Sequence, residues 1–308
     1  MIRLDSRSPV PERLRGAILA LGNFDGFHRG HQAVVGEAIR RAREQGRPAI
    51  VATFDPHPVR FFDPTAEPFR LTTLDQRAEL FAAAGADAML VIGFDADVAG
   101  MSAQSWVEDG LHGHLGAAGV VTGEDFTFGK GRTGNPQVLR ALGAPLGMEA
   151  VTVGPVHDGE GPISSSRIRE ALKAGDCEAA AALLTRPFAI RGTVQHGDKV
   201  GRTIGFPTAN LPLDTYLRPR FGVYAVTGRV IGQDRVLQGA ANVGIRPQFD
   251  PPKELLEPHF FDFSGDLYGQ EIEVAFHHFL RPEGKFASLD ELVAQMHKDC
   301  DRARALLG

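Results

Sequence analysis

Apolar runs alternate with helix-forming stretches along the first half of this 308-residue chain, and this alternation constrains the fold more than any other feature. The apolar runs cover residues 17–21, 49–54, 88–92 and 119–122. Helix-forming stretches lie at residues 31–45, 75–84 and 102–115. Such an order predicts βαβ units and therefore a Rossmann-like α/β domain with a doubly wound parallel sheet. Ligands of these sheets bind beyond the carboxyl ends of the strands.

The pattern changes near residues 183–188, because the following segments read as short strands without helices until the C-terminal end. The candidate strands are residues 189–194, 222–230, 236–243, 259–263 and 271–279. Strands at this spacing predict a small all-β barrel. We therefore predict two domains, residues 1–184 and residues 185–308.

A C-terminal helix is predicted after the barrel strands. Ser288 and Glu291 form an S-x-x-E capping box at its start. Its apolar face consists of Leu289, Leu292, Val293 and Met296. We expect this face to pack on the barrel.

Composition limits the class of partner. A net charge of -5 and a sequence pI of about 6.1 argue against nucleic-acid binding through a basic surface. Cys177 and Cys300 are too few and too far apart for a disulfide framework, which fits a reducing cytosol. We find neither an N-terminal signal core nor a stretch as long as a membrane span. We expect a cytoplasmic protein without membrane or nucleic-acid partners, and the sequence leaves a homo-oligomer open.

Two histidines follow the first apolar run in a glycine-bearing turn, LGNFDGFHRGH at residues 21–31. If a helix begins near Phe27, His28 and His31 lie at positions i and i+3, beside unpaired N–H groups and the positive dipole end. Gly30 removes a side chain where a polyphosphate would approach the backbone. Two imidazoles can then stabilise the α-phosphate of ATP during nucleotidyl transfer. A zinc pair and two surface histidines are the alternatives.

A second anion site is predicted where ISSSRIR, residues 163–169, follows a glycine-rich loop and opens a helical run. Hydroxyl groups at a helix N-cap and guanidinium groups in its first turn bind phosphate oxygens. Helix capping alone would explain one serine. The candidate phosphate-binding residues are Ser164, Ser165, Ser166, Arg167 and Arg169.

Both stretches resemble signatures of the HxGH nucleotidyltransferase superfamily. The tetrapeptide is His28-Arg29-Gly30-His31, and GNFDGFHRGHQ resembles the form found in bacterial FAD synthetases. ISSSRIR resembles the superfamily's ISSTxIR signature, with Ser166 in place of threonine. The resemblance implies that the first motif binds ATP. Its nucleotide-binding residues would be Gly22, Asn23, Phe24, Asp25 and Gly30.

Two further stretches are similar to this family more loosely. TFDPHP places His57 after a strand end, and GEDFTFG places Asp125 after a later candidate strand, where each could face the phosphates. An ordinary turn histidine and an ordinary turn carboxylate are the alternatives. Four phenylalanines either offer a flat face to a flavin or belong to the core, and we favour the core. They are Phe61, Phe62, Phe126 and Phe128.

Oxygen ligands for a metal ion occur in the second half, in GRTIGFPTANL at residues 201–211. Thr208 and Asn210 offer a hydroxyl and an amide oxygen, which are hard ligands that Mg²⁺ accepts beside phosphate oxygens. On chemistry alone, an ordinary turn is the better interpretation. The stretch, however, resembles the ATP-and-magnesium loop of riboflavin kinases. This resemblance implies that the nucleotide is bound by Gly201, Arg202, Gly205 and Pro207.

Glu257 is the candidate general base of the second half. It opens EPHFFDFSGDLYG, which resembles a riboflavin kinase signature, as does ANVGIRPQF at residues 241–249. A carboxylate there would accept the proton of the riboflavin 5′-hydroxyl while that oxygen attacks the γ-phosphorus of ATP. A solvated carboxylate at a strand start is the alternative. Pro258 restricts Glu257 to extended conformations.

Together the signatures cover essentially the whole chain and resemble the bifunctional riboflavin kinase/FMN adenylyltransferase family. This resemblance implies that the second half converts riboflavin and ATP to FMN. The first half would convert FMN and a second ATP to FAD, and both steps would need Mg²⁺. One alternative is an enzyme that adenylylates or cytidylylates another phosphate ester, with a C-terminal binding module. The other is a flavin-responsive regulator without turnover.

Overall fold

The computed structural model describes residues 1–196, 205–246 and 253–308, and these form two compact units. The first unit contains Met1–Ala66 and Leu74–Ile163, and the second contains Glu67–Thr73 and Ser164–Gly308. The division falls earlier in the chain than the boundary predicted at residues 184 and 185. That boundary, which concerns the functional domains, stays a prediction.

The first unit is built on a six-stranded sheet in the described part of the chain, with the order β1-β4-β3-β2-β5-β6. Its strands are β1 Ile2–Asp5, β2 Ile18–Leu21, β3 Ala49–Asp55, β4 Ala88–Gly93, β5 Gly119–Gly123 and β6 Glu149–Val153. Every neighbouring pair is parallel. The parallel α/β fold predicted from the alternation is therefore confirmed.

Burial on both sheet faces explains the unbroken apolar runs. In β2, Leu19 and Leu21 enter one hydrophobic core, whereas Ile18 and Ala20 enter the core on the opposite face. Successive side chains of a strand point to opposite faces, so a strand covered on both faces is apolar at every position.

Helices and short turns connect these strands. The helices are α1 Arg29–Glu44, α2 Pro58–Phe62, α3 Leu74–Ala84, α4 Ala96–Gly100, α5 Ala103–Ser105 and α6 Pro136–Gly143. The 3-10 turns are Glu12–Leu14, Lys130–Arg132 and Ala144–Leu146, and a small ribbon pairs β7 His157–Asp158 with β8 Gly161–Pro162.

The helix predicted at residues 102–115 is present but changes type along its length. Ser102 caps it, since its Oγ accepts the N–H of Ser105 at 3.0 Å. After α5 the chain continues as a π-helix over Trp106–His114. The sequence pattern predicts helical periodicity and does not separate a π-helix from an α-helix.

The strand order places a switch point beside β2. The chain passes from β2 through α1 to β3 on one side, whereas β5 pairs with β2 on the other side. In open parallel sheets, the crevice at the carboxyl ends of such strands is the ligand site. The turn from residue 22 to residue 28 follows β2 at this edge.

The second unit contains a six-stranded antiparallel sheet with the order β10-β13-β12-β11-β14-β9. Its strands are β9 Phe188–Thr193, β10 Leu211–Pro212, β11 Gly222–Val230, β12 Val236–Arg246, β13 Lys253–Phe260 and β14 Glu271–Arg281. A bridge between Gln195 and Asn210 joins the ends of the two edge strands. The predicted all-β barrel is therefore confirmed.

Two helices that precede the barrel in the chain belong to the same compact unit as the barrel. They are α7 Ser165–Ala174 and α8 Cys177–Leu184. The Arg220 N–H donates to the Leu172 carbonyl at 3.0 Å, and Glu178 of α8 contacts His278 of β14 at 2.5 Å. These contacts explain why the second compact unit begins before residue 185.

The strand predicted at residues 259–263 is wrong in position. The structure has Lys253–Phe260 instead, and Asp262 lies beyond the strand end with a φ of +52°. The aromatic run predicts a strand by propensity, but pairing with β12, from Arg246–Lys253 to Gly239–Phe260, sets the observed register. Tertiary pairing here outweighs local propensity.

The C-terminal helix, α9, covers Leu289–Leu307, and Ser288 caps it. The prediction that Leu289 packs on the barrel is wrong, because this residue is 56% exposed. The helix instead docks through its later turns, where Ala303 is buried and Asp299 binds the guanidinium of Arg281 at 2.8–3.0 Å. A partly buried ion pair thus joins the helix to β14, and an apolar pattern does not predict it.

Candidate active sites

His28 is the N-cap of α1 rather than a residue of its first turn. Its Nδ1 accepts the backbone N–H of Gly30 at 3.2 Å and that of His31 at 3.4 Å. The expectation that these first-turn N–H groups are unpaired is therefore wrong, since the imidazole uses two of them. Because Nδ1 acts as an acceptor, the ring proton of neutral His28 lies on Nε2.

The two motif histidines form one stacked pair. The rings of His28 and His31 have centroids 3.6 Å apart and planes inclined by 21°. The edge of Phe24 contacts His31 at a centroid distance of 5.3 Å. His28 is only 5% exposed. Packing therefore holds the orientation of both imidazole rings in the protein without a ligand.

Gly30 is required by the His28 ring. A Cβ at Gly30 would lie 3.1 Å from Cε1 of His28 and 3.4 Å from the carbonyl oxygen of Ile163. Ile163 is the residue before Ser164 in the chain. The missing side chain thus lets the backbone at Ile163 pass close to Gly30.

The turn before His28 is anchored by a group that sequence reasoning missed. The carbonyl of Asn23 accepts the hydroxyl of Thr53 at 2.7 Å and Nη1 of Arg77 at 3.1 Å. The same Nη1 donates to the Thr53 hydroxyl at 2.8 Å, and Arg77 is 1% exposed. Thr53 lies inside β3 near its end, which is a weak sequence signal, and Arg77 lies within α3.

Phe24 holds this turn by packing. The residue is 2% exposed, adopts a φ of +50° and contacts Phe81 at a centroid distance of 5.9 Å. Asp25 is also 2% exposed. The structure thus gives the Phe24 and Asp25 side chains buried positions.

His57 and Asp125 follow the two strands that flank β2. His57 caps α2 after β3, with Nδ1 accepting the Val59 N–H at 3.2 Å. Asp125 follows β5 and is exposed, and its Oδ1 lies 2.9 Å from the position of a Cβ on Gly123. Parallel strands end at one sheet edge, so both residues lie at the edge that carries the His28 turn.

The four phenylalanines separate into core and surface residues. Phe128 is 7% exposed and stacks on Phe126 at 5.9 Å, as expected of a core residue. Phe62 is 70% exposed, although its ring contacts Phe61 and Phe94 at 5.2 and 5.8 Å. The core interpretation therefore fails for Phe62, which presents a large ring to solvent after β3.

The serines and arginines of ISSSRIR begin α7 in the second unit. Ser164 caps this helix, with its Oγ accepting the Arg167 N–H at 3.3 Å, and Ser166 is exposed. Arg169 donates from Nε to the Phe69 carbonyl at 2.9 Å, and its guanidinium lies 5.2 Å from the Phe69 ring centroid. Ser165 and Arg167 are half-buried in the first turn.

Glu257 faces two asparagines across the barrel sheet. In β12, Asn242 pairs directly with Glu257. On the other side, Leu211 pairs with Leu256, and the N–H of residue 209 donates to the carbonyl of residue 258 at 3.0 Å. This register places Asn210 opposite Glu257. Directly opposed side chains share a sheet face, so Asn210, Glu257 and Asn242 form one row.

The loop before Asn210 is held against β13. The Pro207 carbonyl lies 2.9 Å from Nδ1 of His259, and the ring of Phe206 contacts His259 at 5.3 Å. Thr208 is half-buried and Asn210 is 8% exposed. Gly205 has a φ of +86°, which suits glycine. The predicted residues Gly201 and Arg202 lie outside the described residues, as do residues 247–249.

An arginine that sequence reasoning did not assign contacts the candidate base. Arg246, the last residue of β12, forms an ion pair with Glu257, and its Nη1 lies 3.7 Å from Oε1 of Glu283. Burial lowers the pKa of Arg246, and the Glu283 carboxylate opposes that shift. The only sequence signal was its position inside ANVGIRPQF.

Comparisons with known proteins match both halves. The FAD synthetase family model matches residues 10–167, and the riboflavin kinase family model matches residues 184–307. A bifunctional riboflavin kinase/FMN adenylyltransferase of Escherichia coli strain K12 is 40% identical over 293 residues, covering 95% of this chain and 93% of that protein. The protein of that name in Bacillus subtilis strain 168 is 37% identical over 303 residues, covering 96% and 93%.

A solved structure agrees in fold. A protein from Streptococcus pneumoniae, named macrolide-efflux protein, superposes with a TM-score of 0.87 at 32% identity, covering 99% of each chain. Within the described ranges of the present chain, we find no helix with the length and apolar character needed to cross a membrane.

Proposed function

Since the chain belongs to the bifunctional riboflavin kinase/FMN adenylyltransferase family and carries both transferase activities, we propose how its residues divide the two reactions. The riboflavin kinase half phosphorylates riboflavin to FMN with ATP. The FAD synthetase half adenylylates FMN to FAD with a second ATP and releases pyrophosphate. We assign these functional domains to residues 185–308 and 1–184, as the two family matches support.

In adenylyl transfer, an oxygen of the FMN phosphate attacks the α-phosphorus of ATP, and pyrophosphate leaves. Negative charge grows on the nonbridging oxygens, so donors that are already in place lower the barrier. His28 donates from Nε2, because its Nδ1 accepts two backbone N–H groups. The His31 ring is stacked on that of His28 with centroids 3.6 Å apart, and it acts on the same phosphate chain.

The ISSSRIR motif is the proposed second anion site, which binds phosphate oxygens. The Ser165 and Ser166 hydroxyls and the Arg167 guanidinium are the groups that bind phosphate oxygens. Ser164 contributes mainly as the helix cap. Arg169 keeps the start of α7 in place through the Phe69 carbonyl. His57 and Asp125 are further proposed phosphate-facing residues at the edge of the parallel sheet.

Phe62 forms part of the FMN site. Its 70% exposed ring is supported from behind by Phe61 and Phe94, as a stacking platform for a flat ring system would be. It follows β3, at the sheet edge that carries the histidine turn.

In the kinase half, Glu257 accepts the proton of the riboflavin 5′-hydroxyl as the oxygen attacks the γ-phosphorus, and ADP leaves. The position of Asn210 directly opposite Glu257 carries this assignment, because it places a candidate metal ligand beside the candidate base. Nucleotide contacts fall to the loop that contains Gly205 and Pro207, with Gly201 and Arg202 proposed from the sequence alone.

The donors at this place fit Mg²⁺. Thr208 and Asn210 supply a hydroxyl and an amide oxygen from one short loop, and hard oxygen ligands are those that Mg²⁺ accepts. Mg²⁺ bound there would neutralise charge on the phosphates of ATP. Both reactions consume ATP, which supports a cytoplasmic location. The net charge of -5 supports the proposal that nucleic acid is not a partner.

A time course tests the division of work. Purified full-length protein is incubated with riboflavin, ATP and Mg²⁺, and the flavins are separated by chromatography. We expect FMN to appear first and FAD to follow, with pyrophosphate formed in step with FAD. FAD formed from riboflavin without any FMN, or unchanged riboflavin, would refute the proposal.

A further inference from the structure

The Glu257 carboxylate is held by Arg246. The ion pair joins Nη2 of Arg246 to Oε2 of Glu257, and the two side chains are 25% and 16% exposed. A pair so shielded from water is a strong geometric constraint, because neither charge is well solvated without the other. The pair therefore restricts the three side-chain torsions of the proposed base.

Glu283 holds Arg246 from its other side. Its Oε1 lies 3.7 Å from Nη1 of Arg246 and accepts Nδ2 of Asn242 at 3.2 Å. The carboxylate occupies the space above Gly244, since a Cβ built on that glycine would collide with it. Glycine at this position thus makes room for the second carboxylate.

These residues form one cluster on a single sheet face. Asn242, Gly244 and Arg246 alternate along β12 and therefore share that face. Glu257 faces Asn242 across the strand pair. Contacts run from Glu257 to Arg246, on to Glu283 and back to Asn242, so they enclose Gly244.

We propose that Arg246 is a positioning residue for riboflavin phosphorylation, which fixes the direction of the Glu257 carboxylate while Glu283, seated on Gly244, fixes the guanidinium. This inference rests on the proposed role of Glu257 as the base. A general base must lie within hydrogen-bond distance of the hydroxyl that it deprotonates. The ion pair occupies Oε2, and proton transfer is assigned to Oε1.

The test compares riboflavin phosphorylation by full-length Arg246→Ala, Arg246→Lys, Glu257→Gln and the double variant Arg246→Ala/Glu257→Gln. Loss of positioning in Arg246→Ala lowers kcat by roughly 10²-fold, the scale for a misplaced catalytic group. The KM values for ATP and riboflavin stay unchanged. Arg246→Lys recovers part of kcat, because it keeps the charge but not the planar fork. The double variant is no slower than Glu257→Gln, because Arg246 acts through that carboxylate.

A matched control removes another ion pair of the same unit. Arg218 binds Glu254 at 2.6 Å, with side-chain exposures of 23% and 34%. Arg218→Ala should leave kinase kcat at the wild-type value. FAD formation from added FMN, measured on each preparation, reports that the protein is otherwise intact. If Arg246→Ala fails to fold, Arg246→Lys and Glu283→Ala serve as milder variants, and each should still lower kcat.

Several outcomes overturn the inference. A normal or raised kcat in the folded Arg246 variants would exclude positioning. A raised KM for ATP with a normal kcat in the Arg246 variants would show that Arg246 binds the phosphates of ATP. Losses that multiply in the double variant would show that it acts independently of Glu257. Glu257→Gln separates a failure of this inference from a failure of the proposed base. Near wild-type turnover of that variant would refute the role of Glu257 as the base.

Discussion

His28 caps the helix that carries His31, and the imidazole rings of the two residues are stacked with centroids 3.6 Å apart. The cap fixes the tautomer of His28, because two backbone N–H groups occupy its Nδ1. The helix start and the proposed phosphate donor are therefore one structural feature. A substitution of His28 therefore affects both the helix cap and the proposed phosphate donor, unless the new residue keeps one of these two roles.

The first prediction uses Asn to separate these roles. Asparagine is a good N-cap residue, so His28→Asn should keep the stability of α1, whereas His28→Ala should lower the free energy of unfolding by about 1 kcal/mol. Both variants should form FAD from FMN roughly 10²-fold more slowly, because both lose the imidazole donor. Thermal unfolding and FMN adenylylation measure the two effects.

Kinase activity provides the internal control for these variants, since riboflavin phosphorylation should be unaffected. The exposed histidine His112 gives a matched control, and His112→Ala should change neither activity. Near wild-type adenylylation by His28→Asn would mean that the ring serves only as a cap.

The parallel sheet was predictable because a strand buried on both faces is apolar at nearly every position. Ile18 and Leu19 enter opposite cores, so the run shows no polar position. The barrel strand at Lys253–Phe260 was misplaced because its register comes from β12, which is a long-range partner. Leu289 was misassigned because the docking of α9 depends on the ion pair between Asp299 and Arg281.

The proximity of His28 and His31 was predictable, because one short motif carries both residues. Residues that position those groups were not predictable. Arg77 reaches the Asn23 carbonyl from a helix 54 positions away in sequence. Arg246 meets Glu257 only because β12 and β13 pair in one register. Such contacts arise from tertiary structure, and neither spacing nor residue type reveals them.

The second prediction concerns the exposed ring of Phe62. Phe62→Ala should raise the KM for FMN about threefold to tenfold, because an aromatic pair contributes about 0.5–1.5 kcal/mol. Its effect on the free energy of unfolding should stay within about 0.5 kcal/mol, since the side chain is 70% exposed. Val59→Ala on the same helix, at a position 48% exposed, is the matched control. An unchanged KM in Phe62→Ala would remove this residue from the FMN site.

The third prediction concerns the domain boundary. A fragment of residues 185–308 should phosphorylate riboflavin and stop at FMN, because it holds every group assigned to the kinase step. A fragment of residues 164–308 should have a free energy of unfolding higher by about 2 kcal/mol or more, since α8 buries Leu183 and Leu184. Denaturant unfolding compares the two fragments. Equal stability would show that α7 and α8 belong with the first domain.

The last prediction separates a base from a metal ligand within one row of side chains. Glu257→Gln keeps the shape and hydrogen-bonding capacity of the side chain but removes its basicity, so kinase kcat should fall by about 10²-fold to 10⁴-fold. Asn210→Ala removes a proposed oxygen ligand, so it should mainly raise the Mg²⁺ concentration required for half-maximal rate. Steady-state kinetics over a range of Mg²⁺ concentrations distinguish the two variants.

Glu257→Gln and Asn210→Ala can be compared directly, because the two residues occupy facing positions and both substitutions perturb the same sheet face. Both variants should still make FAD when supplied with FMN, which shows that the first domain is intact. If excess Mg²⁺ restored the kinase kcat of Glu257→Gln, Glu257 would be a metal ligand and not the base. A kcat loss in Asn210→Ala that Mg²⁺ does not relieve would instead mean that Asn210 orients the base or the riboflavin hydroxyl.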